Sequence, residues 1–252
     1  MATIGFSTGA IAYGDFMGAI TLLSPTRATA IELSALRETE LAPLLAALPN
    51  MIEGLRERYD YVSFHAPTNF EDERVIVAQL KAVAELEMNI VVHPDTITDP
   101  KCWRELGARL CIENMDSRKP FGRTVEELLP YFDQLPEARL CFDIAHARQV
   151  DSTMLEAMRI TEEFRDRLAQ VHLSEINSQG KHFPMSFAAK RAFEPFVEIL
   201  LSVPVILESV VSNDEIVPEL AAAERLLSFR PGLRQVDSEQ HNTISGGLLT
   251  AR

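Results

Sequence analysis

Short apolar runs alternate with longer stretches of helical periodicity along most of this chain, and this alternation constrains the fold more than any other feature. Strands that are separated by helices pair in parallel, and most of these runs are apolar without interruption, as in strands covered on both faces. The pattern therefore predicts an α/β fold, a single (β/α)8 TIM barrel. Its eight predicted strands are residues 3–7, 29–33, 61–65, 89–93, 109–114, 139–143, 169–173 and 204–208.

The stretches between these strands predict amphipathic helices. One begins at Thr124, which is followed three residues later by Glu127, the spacing of a capping box. A chain of 252 residues, 46% of them hydrophobic, suffices for one barrel, so we predict a catalytic barrel domain over residues 1–229 and a polar tail, or an arm on a partner subunit, over residues 230–252. The clearest predicted helices are residues 71–88, 124–135, 152–168, 187–201 and 213–229.

Charge and cysteine content argue against several classes of protein. The net charge is −13 and no cluster of Lys and Arg occurs, so we expect no nucleic-acid partner. Cys102, Cys111 and Cys141 have neither CxxC spacing nor an even count, which argues against disulfides and thiolate zinc sites. No run approaches the roughly 18 apolar residues of a membrane span. We therefore expect a cytoplasmic protein without a membrane partner.

A side chain able to bind a metal ends one predicted strand after another. In a barrel the C-terminal ends of all strands lie at one face, so residues far apart in sequence converge there. Imidazole and carboxylate ligands suit Zn, Mn, Fe or Co, and the absence of thiolates argues against a purely structural zinc site. The six residues, separated by 20 to 36 positions, are His65, His93, Glu113, Asp143, His172 and Glu208.

A lone strand-end histidine can equally be a hydrogen-bonded rim residue. Six such placements are harder to attribute to chance, because Glu113, Asp143 and Glu208 lie inside apolar runs where a buried charge is costly without a cation. A polar loop at residues 174–186, which contains His182, is predicted to be a functional part of the same rim.

Several segments of the sequence resemble the xylose isomerase-like TIM barrels, the AP endonuclease family 2 superfamily. That superfamily includes sugar isomerases and epimerases together with endonuclease IV. The chain is most similar to the small barrels described as sugar phosphate isomerase/epimerase. The segments, in chain order, are FHAP (64–67), VVHPD (91–95), IENMD (112–116), CFDIAHA (141–147), VHLSE (171–175), GKHFP (180–184) and ILES (206–209).

The resemblance implies roles for individual residues. In the epimerase branch one metal is held by the counterparts of Glu113, Asp143, His172 and Glu208, and the two glutamates also act as the catalytic acid/base pair. In the endonuclease IV branch, further residues hold a second ion with Glu113 and a third ion with an Asp-x-His pair. Here a glycine, Gly180, stands at the Asp position of that pair, so one or two ions are expected rather than three. The further residues are His65 and His93 for the second ion, and His146 and His182 for a third ion or a substrate contact.

The same ligands support different reactions. A metal held by carboxylates stabilises the enediolate that forms when a carbon-bound proton leaves, which predicts a sugar or sugar phosphate isomerase/epimerase. Two ions sharing Glu113 could instead activate water, which predicts a phosphoester hydrolase acting on a small substrate. A ligand-binding barrel without turnover is the third hypothesis. The epimerase pattern is incomplete, since Ser178 replaces an expected Arg and Lys119 an expected Glu.

The remaining predictions concern the small polyhydroxylated or phosphorylated substrate. Trp103 and Phe183 could stack on a sugar face, although Trp103 is equally a packing residue. Arg118 and Arg123 follow the fifth strand and are equally ordinary loop charges. A homo-oligomer is also compatible with the sequence. The predicted substrate-binding residues are Glu32, Asp95, Arg148 and Lys181.

Overall fold

The computed structural model of the chain describes residues 2–229, and eight of its strands close into a parallel barrel. A short antiparallel hairpin, β8 (Glu175–Ile176) and β9 (His182–Phe183), follows the seventh strand. The predicted (β/α)8 barrel is therefore confirmed. The barrel strands are β1 (Ile4–Ser7), β2 (Ala30–Ser34), β3 (Tyr61–His65), β4 (Asn89–Val92), β5 (Leu110–Glu113), β6 (Arg139–Asp143), β7 (Leu168–Leu173) and β10 (Val205–Leu207).

Each strand pairs with the next one around the barrel, and β10 closes it against β1. Helices surround the strands and bury their apolar faces against them. Within the described residues they are α1 (Thr8–Ile11), α2 (Phe16–Leu23), α3 (Glu38–Arg58), α4 (Glu73–Glu85), α5 (Pro100–Trp103), α6 (Val125–Gln134), α7 (Ile144–Val150), α8 (Leu155–Glu163), α9 (Phe187–Phe193), α10 (Val197–Leu200) and α11 (Ile216–Leu227).

Two predicted helices are shorter or divided in the structure. The helix predicted over residues 152–168 is shorter in the structure: α8 begins only after Met154, which adopts a left-handed φ of 65°, and ends at Glu163, where a 3-10 turn leads into β7. The predicted helix over residues 187–201 divides into α9 and α10 at a 3-10 turn that contains Pro195, which has no backbone N–H to continue the helix.

The longest helix, α3, has 21 residues and contains Pro43 and Pro49, which have no backbone N–H to donate within a helix. It forms nevertheless, since a stripe of apolar side chains recurring every three or four residues is buried against the barrel. The stripe is Leu41, Leu44, Leu48, Ile52 and Leu55.

Part of the barrel interior is polar. Glu32, Ser63 and Gln170 are fully buried, whereas barrel interiors are mostly filled by branched aliphatic side chains. Strand register places Glu32 beside Ser63, and Asp143 beside His172. The polar interior layer therefore lies directly beneath the strand ends.

Two sequence expectations concern regions beyond this barrel. The predicted tail over residues 230–252 lies outside the described residues, so the domain boundary at residue 229 stays a prediction. Within residues 2–229 we find no helix that has both the length and the apolar character needed to cross a membrane.

Candidate metal centre

The six strand-end residues converge at the C-terminal mouth of the barrel. Within the described part of the chain, three groups of side chains each place their ligand atoms within 4.8 Å of one another. We name them site A (His65, His93 and Glu113), site B (Glu113, Asp143, His172 and Glu208) and site C (Asp143, His146 and His182). Glu113 belongs to sites A and B, and Asp143 to sites B and C, so the three sites form one continuous cluster.

Site A is built around one oxygen of Glu113. Its Oε2 atom lies 3.4 Å from His65 Nε2 and 3.2 Å from His93 Nε2. His65 Nδ1 lies 2.8 Å from the carbonyl oxygen of Ala66, and donating its proton there leaves the lone pair on Nε2. Two ligands of one ion with bonds of about 2.1 Å lie roughly 3.0 to 3.4 Å apart. The distances in site A therefore match one shared cation.

Site B uses the other oxygen of Glu113. Its Oε1 atom lies 3.2 Å from His172 Nδ1, and Glu208 Oε1 lies 3.4 Å from the same nitrogen. Asp143 caps the N-terminus of α7, where its Oδ1 accepts the backbone N–H of His146 at 2.7 Å. This cap fixes the Asp143 carboxylate and leaves Oδ2 directed at the cluster.

A buried carboxylate orients His172 from below. Glu32 Oε2 lies 3.2 Å from His172 Nε2, and it accepts hydrogen bonds from Gln170 Nε2 at 2.7 Å and Ser63 Oγ at 3.1 Å. A proton on Nε2 shared with Glu32 leaves the lone pair of Nδ1 facing Glu113, as in the carboxylate–histidine–metal arrangement. The prediction that Glu32 lines the substrate pocket is wrong, because its side chain is fully buried one layer beneath the mouth.

This arrangement predicts that Glu32→Gln weakens metal retention by about 10- to 100-fold, because the amide no longer fixes the tautomer of His172. The measurement is metal affinity by competition with a chelator. Glu156→Gln is the matched control, since Glu156 is also a buried glutamate but bonds Val125 N and Arg159 away from the mouth. Equal affinity in the two variants would contradict the role of Glu32.

Site C gathers its three donors although Gly180 occupies the position of the expected Asp. His146 Nδ1 lies 2.9 Å from the carbonyl oxygen of Asn114, and His182 Nδ1 lies 2.8 Å from Ser174 Oγ. The two rings stand edge to face with centroids 5.3 Å apart. The geometry of site C therefore does not require the missing Asp, and the number of ions stays a prediction.

Burial and charge shift the pKa values of the cluster in opposite directions. Burial raises the pKa of Glu208 to about 8. Burial also opposes ionisation of Glu113, but His172 and the other site histidines hold its pKa well below the usual range. Burial would lower the pKa of His172, but the anionic groups around it, Glu208 and Glu32 among them, raise it well above its ordinary value. Protons therefore occupy part of the cluster near neutral pH.

Metal affinity should consequently rise with pH. Below about pH 8 the metal-free protein holds a proton on Glu208, and the raised pKa of His172 favours a proton there too, so a binding cation must displace protons. We expect the affinity to increase by up to about tenfold per pH unit for each displaced proton, and the contribution of Glu208 to level off above about pH 8. Metal titrations between pH 6 and 9 measure this slope, and a flat profile would contradict it.

The donor set fits a divalent cation. Glu113 Oε2, Asp143 Oδ2 and His93 Nδ1 are buried and have no hydrogen-bond partner within residues 2–229. Carboxylates buried this close together repel one another and are costly without a compensating charge. None of the three sites contains a cysteine, and burial raises the pKa of Cys111 to about 12, so its thiol stays protonated. These groups could therefore hold metal ions through oxygen and nitrogen ligands.

A cavity of about 340 Å³ opens above the cluster. One part of its wall is apolar and includes Tyr13, Leu36 and Val210. None of these three residues is a metal-ligand type, so the pattern of ligands at strand ends does not indicate them. Another part of the wall is basic and includes Arg118 and Lys181. Of the four predicted substrate-binding residues, Lys181 alone borders this cavity.

The other predicted contacts have different partners. Arg148 pairs with Glu175 at 3.0 Å and Asp95 pairs with Lys119 at 2.7 Å, and neither Arg148 nor Asp95 borders the cavity, so their substrate contacts stay predictions. The Trp103 indole donates its N–H to Glu73 of α4 at 3.0 Å. Because Trp103 is fully buried, it cannot stack on a sugar.

Two other residues named in the sequence analysis also lie away from the cavity. Phe183 lies in the hairpin, outside the cavity wall. Arg123 is paired with Glu127 as a loop charge.

The chain is similar in sequence to one protein family and in fold to several solved structures. The family model of the xylose isomerase-like TIM barrel matches residues 69–229. No curated protein matches the sequence.

Solved structures share the fold at low identity. Endonuclease IV from Thermus thermophilus is 20% identical with a TM-score of 0.58, covering 89% of this chain and 98% of its own. The 3-keto-D-glucoside 4-epimerase from E. coli is 14% identical with a TM-score of 0.60, covering 89% and 99%. A xylose isomerase-like TIM barrel protein from Mycobacterium smegmatis, in complex with magnesium, is 11% identical with a TM-score of 0.57, covering 90% and 96%.

Proposed function

This chain belongs to the xylose isomerase-like TIM barrel family, and from that premise we propose that it is a divalent-metal-dependent isomerase or epimerase of a small sugar or sugar phosphate. One observation carries the proposal. Glu208, a carboxylate of site B, is 15% exposed and borders the mouth cavity, where a substrate carbon can approach it.

Glu208 is suited to proton transfer. Burial raises the pKa of Glu208 to about 8 in the metal-free protein, so this carboxylate holds a proton more readily than an exposed glutamate, and a general acid/base works best with a pKa near neutral pH. Glu113 was predicted as its partner, but it is only 1% exposed and both of its oxygens face histidine nitrogens. Within the proposal Glu113 therefore serves first as a metal ligand.

This difference favours one reaction within the proposed class. A single carboxylate can remove a proton from one carbon and return it to the neighbouring carbon on the same face, which is aldose–ketose isomerisation. Inversion at one carbon requires a second group on the opposite face. A divalent cation held by Glu113, Asp143, His172 and Glu208 would polarise the substrate's oxygens and stabilise the enediolate.

The rest of the cavity supports a polyhydroxylated substrate. Tyr13 borders the cavity and is 60% exposed, with the guanidinium of Arg37 over one face of its ring, and aromatic rings pack against the apolar face of a sugar. The histidines of site C lie beside Glu208, since His182 Nδ1 is 3.6 Å from Glu208 Oε2. They are placed to donate hydrogen bonds to hydroxyl groups.

The test is solvent exchange in deuterium oxide. We expect the metal-loaded protein, supplied with a panel of short aldoses and ketoses, to incorporate deuterium next to the carbonyl group, as measured by proton NMR. The chelator-treated protein is the control and should show no incorporation. If the loaded protein exchanges no member of the panel, the isomerase proposal fails for that class of substrate.

Site A favours a second candidate, a phosphoester hydrolase. Two histidines and a shared Glu113 lie next to site B, so two cations could hold an attacking water and a leaving oxygen. The net charge of −13 argues for a small phosphoester rather than DNA. Hydrolysis of bis(p-nitrophenyl) phosphate with Mn²⁺ or Zn²⁺, without deuterium exchange into sugars, would favour this candidate.

A further inference from the structure

Arg118 is clamped at the mouth of the barrel. Its Nε and Nη2 atoms donate to Asp116 Oδ1 and Oδ2 at 3.0 and 2.7 Å, and its Nη1 atom donates to the carbonyl oxygen of Gln179 at 2.8 Å. Asp116 is itself only 1% exposed and also accepts the backbone N–H of Arg118 at 2.8 Å. The guanidinium plane is therefore fixed by a buried carboxylate and by the loop between β8 and β9.

The clamp leaves part of the guanidinium free. Five N–H bonds are available to an arginine side chain, and three are used by these contacts. The remaining two, one each on Nη1 and Nη2, have no acceptor within residues 2–229. The Arg118 side chain is 44% exposed and borders the mouth cavity. These two N–H groups can donate to a carboxylate or a phosphate.

Gly180 makes room for this guanidinium. A Cβ atom at position 180 would lie 1.6 Å from Arg118 Cζ, so no other residue can occupy the position without moving the arginine. Gly180 also has a φ of +72°, which side-chain-bearing residues rarely adopt. The resemblance led us to expect an Asp at position 180. The guanidinium of Arg118 thus fills the space that the Asp side chain would need.

A second cation lies beside Arg118. Lys181 is exposed, borders the same cavity and has no ion pair within the described residues, whereas the neighbouring Lys119 is paired with Asp95 at 2.7 Å. Arg118 and Lys181 therefore line the same cavity as Glu208, and in the described part of the chain Lys181 is an unpaired charge and Arg118 has two free N–H groups.

We propose that Arg118, assisted by Lys181, binds an anionic oxyacid group of the substrate, a carboxylate or a phosphate, while the hydroxyl and carbonyl groups reach site B. The inference rests on the proposed function for what happens at site B, but the anion site itself is defined by Arg118, Asp116 and Gly180. It narrows the substrate to acidic or phosphorylated polyhydroxylated molecules.

The test compares glycerol, glycerate and glycerol phosphate as probes of the metal-loaded, full-length protein, with affinities measured by calorimetry or by ligand-detected NMR. We expect the anionic probes to bind at least about tenfold more tightly than glycerol. Arg118→Met should abolish that preference. Arg123→Met is the matched control and should retain it, because Arg123 is clamped by Glu127 in the same loop but lies outside the cavity wall.

A second variant separates binding from folding. Arg118→Lys keeps the charge beside Asp116 but lacks the planar guanidinium, so we expect it to retain metal content and thermal stability and to lose most of the preference. Stronger binding of glycerate or of glycerol phosphate identifies the acid that the site accepts. If all three probes bind equally, or if the preference survives both Arg118 substitutions, the inference is wrong. Metal content, measured on the same samples, reports separately on the proposed function.

Discussion

Glu113→Gln is expected to lower metal binding by more than about 100-fold, beyond the range typical of residues that only support a ligand. The two oxygens of Glu113 serve different sites, Oε2 facing His65 and His93 and Oε1 facing His172. The glutamine amide has the same shape, but only its oxygen can bind a cation, and only weakly. Its NH₂ group faces the other site and cannot act as a ligand. Both sites should therefore lose affinity together.

The measurement is elemental analysis of the purified variant, together with the thermal shift caused by a chelator. A ligand that binds only the folded state at 100 times its dissociation constant stabilises it by about 2.7 kcal/mol, so the parent protein should lose stability when chelated. Glu113→Gln should show neither metal nor a chelator effect. Glu156→Gln is again the control for a buried glutamate. Normal metal content in Glu113→Gln would contradict a shared ligand.

Glu208→Gln is expected to reduce deuterium exchange into substrate by about 10²- to 10⁴-fold, because an amide cannot accept the carbon-bound proton. Three ligands of site B remain, so the variant should keep part of its metal. This combination separates a proton-transfer group from a residue that acts only as a ligand.

The control for Glu208 is Glu175→Gln. The Glu175 side chain is 12% exposed against 15% for Glu208, but it pairs with Arg148 and lies outside the cavity wall. Exchange should be nearly unchanged in Glu175→Gln. If Glu208→Gln exchanges deuterium at the rate of the parent, the proposed mechanism is wrong even if the site binds metal.

The barrel and the convergence of its strand ends could be predicted from sequence, because parallel topology places every strand's C-terminus at one face. His65, Glu113 and Asp143 end their strands and meet there. Glu32 was misplaced by the same reasoning, since β2 continues two residues further to Ser34. A difference of two residues keeps the side chain on the same face of the strand but moves it one layer down, from the cavity to the interior.

Side chains on loops could not be placed in this way. The position of Arg118 depends on the path of the loop after β5 and on a glycine 62 positions away, neither of which follows from periodicity. The sequence is compatible with packing or stacking for Trp103, and α5 directs its indole into the core. Ion pairs such as Lys119 with Asp95 likewise join two loops whose relative position only the folded structure defines.

The central claim is that side chains from separate strands hold a divalent cation at the mouth of the barrel. A crystal structure of protein purified without added metal, with anomalous scattering recorded at the metal absorption edges, tests it most directly. We predict an anomalous peak within about 2.0 to 2.2 Å of oxygen or nitrogen atoms of Glu113, Asp143, His172 and Glu208. A cluster with these side chains in place but with no peak, even after soaking in Zn²⁺ or Mn²⁺, would contradict the claim.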